Sequence, residues 1–286
     1  MTEYSTTDYT AIIGTLLSDG SKLEFNYTNN RQDKVGYPGL NMDIVYSYTD
    51  MYTLKYHRVT PFGVFSTMNL ELFNTDIDHL MDNVVLRGNT GNGVMAWPTA
   101  SDTYGGRIIG TIGSHIRAGI DYEHNTKDAE QNMVMSGMNV FMTYLWPGVE
   151  TEKLGLFFEK DLNNISYGLR YDQVELDPTR AADDPGSGMM QKTANQVYDE
   201  DYGIVATKRD FDNISGFLRF EKDLNHGESY INFSINERAP DANELFHAKN
   251  NSTAMMRHVG NPNLSSERHI TLEVGYEGML MGNHIT

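Results

Sequence analysis

The feature that most limits what this chain can fold into is an alternation in the length of its connections. Strand-like stretches of about ten residues are joined in turn by tight turns and by long polar loops. The short connections fall at residues 18 to 21, 60 to 63, 113 to 115, 161 to 164 and 224 to 227, and the long ones at 30 to 47, 82 to 104, 126 to 153, 178 to 208 and 240 to 264. A soluble sheet has no physical reason to place all its large loops on one edge. An antiparallel barrel standing in an outer membrane has one, because its periplasmic ends are tight turns and its extracellular ends carry the loops that meet the ligand.

The stretches between these connections alternate with a period of two. Leu23, Phe25 and Tyr27 are separated by Glu24 and Asn26, Ile116, Ala118, Ile120 and Tyr122 by Arg117, Gly119 and Asp121, and Ile231, Phe233 and Ile235 by Asn232 and Ser234. The run from Ile270 to Tyr276 repeats the pattern. One face of each strand is apolar and the other wet. Eleven strands are predicted, near residues 9 to 17, 22 to 30, 49 to 59, 64 to 76, 105 to 112, 116 to 125, 154 to 162, 165 to 177, 208 to 223, 228 to 239 and 266 to 277, with a twelfth beginning near 282. Their length matters, since a strand tilted across a membrane needs about 9 to 11 residues, whereas strands of soluble sheets have a mode of about 5 to 6.

The 286 residues contain no apolar run of the length a membrane helix requires, so a closed barrel is the remaining way to span. Formal net charge is -17, and no basic run exceeds a dipeptide, which argues against nucleic acid as a partner because phosphate binding needs clustered Lys and Arg. With no cysteine there is neither a disulfide framework nor a thiolate zinc site. Residues 1 to 5 lack the basic and apolar regions of a secretory signal, and the last residues open a further strand, so a fragment of a longer chain is expected, 1 to 286 being part of one barrel domain. No nucleophile elbow, phosphate loop or paired-cysteine motif is present, and an enzyme is not expected.

Several motifs resemble those of TonB-dependent outer-membrane receptors. Arg238, Pro240, Glu244, Leu245 and Phe246 stand in an R-x-P-x-x-x-E-L-F setting. Gly260, Asn261, Pro262 and Leu264 follow as G-N-P-x-L, with Glu267 opening the next strand, and residues 155 to 172 are similar to the family's G-x-F-x-E turn and G-x-R-Y-D strand. Each motif also has a plain architectural reading. Pro262 fixes φ and removes a donor, as suits a loop-to-strand hinge, and Gly168 permits close backbone approach on the lumen side. The resemblance implies an all-β transmembrane up-and-down barrel, here eleven or twelve strands of roughly 22, in the outer membrane of a Gram-negative bacterium. Its implied partners are outer-membrane lipid, a metal or metal-complex ligand, and TonB acting through a plug domain outside this sequence.

Two segments narrow the resemblance to the copper receptors of that family: residues 37 to 43, YPGLNMD, and residues 76 to 87, DIDHLMDNVVLR. Ten of the sixteen methionines fall in the long connections: Met42, Met95, Met133, Met135, Met138, Met142, Met189, Met190, Met255 and Met256. Thioether sulfur is a soft, uncharged ligand suited to Cu(I). Met42, in a copper-receptor element, is the first candidate ligand. Met133, Met135 and Met138 either converge on an ion through a curl at Gly137 or form a hydrophobic loop tip, and Met255, Met256, His258 and Met95 are further candidates. His79 is expected to hydrogen-bond near a strand end. The copper resemblance also implies sulfur ligands from the plug. No bound cofactor is expected, copper being cargo. Two alternatives stay open: a receptor for a ferric siderophore or other metal complex, held by side chains such as Tyr202, Arg257 and Trp97, and a passive porin-type barrel.

Overall fold

The computed structural model describes the chain except residues 1–3, 89–93, 136–137, 187, 189–190, 226, 251–257, 281–282 and 286. Side chains of residues 134, 135, 138, 139, 279, 280 and 283–285 also lie outside the described set. Twelve strands follow in order: β1 (Ser5–Leu16), β2 (Lys22–Val35), β3 (Asp43–Arg58), β4 (Thr67–Asp82), β5 (Val94–Ile112), β6 (Ile116–Met135), β7 (Met138–Leu162), β8 (Ile165–Pro178), β9 (Arg209–Leu224), β10 (Gly227–Arg238), β11 (Glu267–Leu280) and β12 (Asn283–Ile285). They form one sheet in sequence order, every pair antiparallel. This is the up-and-down topology the loop alternation predicts.

Register carries the apolar face across the sheet without a break. Phe25 pairs with Leu54, Ile120 with Ile108 and Leu156, Phe158 with Leu169, Leu218 with Tyr167 and Phe233, and Phe233 with Leu272. Leu169, Ile214, Phe233, Leu272 and Val274 stand between 44 and 74% exposed on that face, far more apolar surface than a water-facing sheet leaves open. Tyrosines border it: Tyr27 stacks on Tyr52 with ring centroids 5.0 Å apart, and Tyr122 and Tyr171 follow on β6 and β8.

Between the strands, the short connections have the glycine chemistry of tight turns, as at Gly113, whose φ of +60° lies in the left-handed region. The other edge differs from the sequence expectation. β2 to β7 run on far past their predicted ends, so the connections expected at 30 to 47, 82 to 104 and 126 to 153 shrink to 36 to 42, 83 to 93 and 136 to 137. Beyond the apolar band neither face of a strand meets lipid, and in β7 both are covered, with Met142, Thr143, Tyr144 and Leu145 all buried. Alternation then vanishes from the sequence while backbone pairing continues unchanged. Met95, Met133, Met135, Met138 and Met142 consequently sit in strands rather than loops.

Two long connections remain, and both fold inward. α1 (Ala194–Tyr202) starts with a capping box between Thr193 and Gln196 and stops at Gly203, φ +68°. α2 (Ala242–Phe246) carries a capping box between Asp241 and Glu244. Ala242, Leu245 and Phe246 bury against Val149, Val174, Leu176 and Phe211, which alternate with the apolar-face residues and therefore lie on the opposite side of the sheet. The hydroxyl of Tyr198, fully buried in α1, donates to Phe246 O at 2.7 Å and ties the two helices together.

Candidate functional site

At the long-loop end of β3 and β4, the two segments that carry the narrower resemblance are fastened to each other. Arg87 Nε donates to Asp43 Oδ2 at 2.7 Å and its Nη2 to Asp43 Oδ1 at 2.8 Å. The same Nη2 reaches Tyr37 O at 2.9 Å, and Tyr37 N donates to Asp43 Oδ1 at 2.8 Å. Arg87 thereby holds the Asp43 carboxyl below its ordinary range. Asp82 Oδ1 accepts from the backbone N–H of Val84 and Val85, both at 3.0 Å, and turns the chain after β4. Asp43, Asp82 and Arg87 are therefore clasps. Next to Asp43 in sequence, Met42 is 5% exposed.

One face beside this clasp collects soft and nitrogen ligands. His79 and Met81, two apart in β4, share a face; Met81 pairs with Trp97 of β5, and Met95 of β5 pairs with Met133 of β6. Lys249 from the inward connection lies over the Trp97 ring at 5.0 Å, and Asn250 and Gln131 exchange hydrogen bonds of 2.9 and 3.1 Å, so this is the face the connection covers. The strand-end hydrogen bond expected of His79 is not made by its Nε2, which is buried without a partner among the described residues. A buried imidazole nitrogen left unpaired costs free energy that a metal ion would recover. His79 and Met81 went unnoticed as a pair in the sequence because alternation assigns a face only once the strand is known to reach residue 82.

The candidate methionine cluster lies at the end of a hairpin. Met135 and Met138 end β6 and β7 as direct register partners, and Met133 faces Val140 and Met95. The expected curl at Gly137, together with Met189, Met190, Met255, Met256 and Arg257, lies outside the described residues. Tyr202 donates its hydroxyl to Val259 O at 3.0 Å. Among the described residues no three His, Asp or Glu side chains converge as metal ligands.

The R-x-P-x-x-x-E-L-F and G-N-P-x-L motifs close on one another around α2. Arg238 Nη1 and Nη2 donate to Glu244 at 2.9 and 2.8 Å, and Nη2 also reaches Glu267 at 3.1 Å. Glu244 accepts from Asp241 N at 2.8 Å, just after Pro240, and its carbonyl takes Asn261 N at 2.9 Å. Gly260 is required by contact, since a Cβ there would lie 2.7 Å from the backbone of Leu245. Pro262 is buried and its carbonyl accepts from Arg209. Beyond α2, His247 is pushed down to a pKa of about 4 by burial and by His258 and Lys249.

The profile described as TonB dependent receptor-like, beta-barrel matches residues 2–285. The chain belongs to that family. Among solved structures, this receptor barrel is similar to "Copper transporter OprC", with a TM-score of 0.75, 19% identity, and coverage of 96% of this chain and 43% of that one. It is also similar to a double mutant of the Serratia marcescens hemophore receptor HasR in complex with HasA and heme, with a TM-score of 0.60, 17% identity, and coverage of 96% and 42%. The receptor segment thus spans less than half the length of the structures it matches. No curated protein matches it. An outer-membrane location follows for the family, with the apolar face meeting lipid.

In the receptor's lumen wall the family motifs also have a physical role. Arg170 of β8 reaches over β7 to Asp121 of β6, its Nη1 and Nη2 donating at 2.9 and 3.0 Å, and its Nε holds Asp172 at 2.8 Å. The lane it crosses is Gly155, where a Cβ would sit 2.1 Å from Arg170 Nη2. At Gly168 the close approach is by a side chain, the Phe217 ring, whose Cε1 would be 2.5 Å from an added Cβ, and not by backbone.

Proposed function

We propose that this receptor barrel belongs to an outer-membrane transporter for copper, with His79 and Met81 as ligands from the barrel wall and Met42 as a further candidate ligand. One observation carries the reading: a buried imidazole nitrogen, unpartnered among the described residues, two residues from a thioether on a face bearing Met95 and Met133. Imidazole and thioether together suit copper and disfavour Mg or Ca. The similarity of fold to a copper transporter supports this choice. The Met133, Met135 and Met138 hairpin end would serve as an outer capture point, feeding ions inward. In the whole receptor, TonB pulling on a plug would open the lumen, and none of that energy coupling resides in residues 1 to 286.

Copper content of the detergent-purified full-length receptor tests this. His79→Ala should lower bound Cu(I) at least tenfold and Met42→Ala several-fold, about 1 kcal/mol or more of binding free energy, with barrel assembly intact in both. Replacing Met133, Met135 and Met138 together should slow uptake at low copper and spare it at high copper. A parent receptor that holds no copper and binds a ferric siderophore would overturn the reading in favour of metal-complex uptake.

A further inference from the structure

We infer that His247 and His258 form a second metal site, two imidazoles for a divalent transition ion such as Cu2+, on the inward connection and independent of the centre at His79. The two residues are brought together by backbone. Ala248 and Val259 form an antiparallel bridge, Gly260 N donates to His247 O at 2.7 Å, and Lys249 N to His258 O at 3.2 Å. In that register His247 and His258 are diagonal neighbours, within side-chain reach. Their ring centroids are 4.8 Å apart. With metal–nitrogen bonds of about 2.0 to 2.1 Å, two imidazoles on one ion at a near-tetrahedral angle have centroids roughly 5 Å apart.

The scaffold leaves one ring nitrogen of this pair uncommitted among the described residues. His247 Nδ1 is buried with no hydrogen-bond partner among the described residues, while the Trp146 ring packs edge-on at 6.3 Å and spends its own N–H on Asn243 Oδ1 at 3.1 Å. Lys249, the cation of the same bridge, keeps its ammonium over the Trp97 ring. His258 is exposed and gives an ion a route in. Imidazole is a borderline ligand that takes Cu2+, Ni2+ and Zn2+, where thioether prefers the reduced ion. The two sites would therefore meet different oxidation states of one metal.

Electron paramagnetic resonance of Cu2+ added to the full-length receptor carrying His79→Ala tests the site separately from the transport reading. One bound Cu2+ with two nitrogen couplings is expected. His258→Asn, at an exposed ring, should remove one coupling and weaken Cu2+ binding at least tenfold, and His247→Asn should do the same. If His247→Asn fails to assemble, His258→Asn decides alone. Unchanged couplings and affinity in His258→Asn, or no Cu2+ bound at all, would overturn the site. Loss of Cu(I) in the His79 variant bears only on the transport reading.

Discussion

Single residues in this barrel are fixed by the neighbours they must clear or neutralise. Gly155 is the sharpest case, because Arg170 lies across it to reach Asp121. Gly155→Val should sever that lumen-wall pair, leaving Asp172 as the remaining partner of Arg170, at a cost of roughly 1–3 kcal/mol. The expected readout is unfolding at lower temperature in heat-modifiability gels; an unshifted transition would remove the lane argument. Glu244 gives a pH counterpart. Its carboxyl is held below its ordinary range by Arg238 first and then by the Asp241 N–H. A depressed pKa contributes stability above the unfolded value and loses it as pH falls through the folded one. Limited proteolysis of residues 239 to 266 should therefore accelerate once pH drops below the ordinary value of 4.5. Glu244→Gln should be cut readily at neutral pH and show no such step.

Strands are the elements, and their two faces answer to different solvents. Ile120 stands exposed on the apolar face between Ile108 and Leu156, while Asp121, one residue on, is paired to Arg170 in the lumen wall. Ile120→Arg places a charge in lipid at about 2–4 kcal/mol, whereas Asp121→Asn keeps a hydrogen-bond acceptor beside Arg170. The first should reduce assembled receptor in membrane-fraction blots and the second should leave most of it. Equal losses would contradict the assignment of faces. The inward connections differ in kind. α1 and α2 are short and survive because Tyr198, Leu245 and Phe246 bury completely between them and the strands. They should stay protected in hydrogen exchange as long as that core is intact.

As a whole, the sheet is open. Among the described residues β1 pairs only with β2, and β12 only with β11, so two rows of backbone donors and acceptors have no strand partner there. Together with the apolar face this makes residues 1 to 286 unfit to stand alone in water. Expressed without the remainder of a receptor, the segment should aggregate unless detergent or lipid is supplied. A monodisperse monomer with a sharp cooperative melt in plain buffer would contradict the barrel reading.

Period-two alternation and the rhythm of turns were enough, in the sequence alone, to determine strand number, order, antiparallel topology and the identity of the lipid face. Each of these depends on local pattern: one face in lipid and one in water writes itself into every second residue of Lys22 to Tyr27 or Ile116 to Tyr122. The motif pairs were legible too, though only as resemblance. What tertiary structure decided is everything beyond the apolar band. There neither face meets lipid, alternation carries no signal, and pairing alone extends β6 to Met135 and begins β7 at Met138. Only that pairing sets Met95 opposite Met133, puts His79 and Met81 on the covered face, and lays Arg87 against Asp43. The contact between His247 and His258 has the same origin, since eleven positions of chain separate two rings that a single backbone bridge brings to 4.8 Å. A local sequence pattern records the solvent each residue meets, and long-range register decides which residues meet each other.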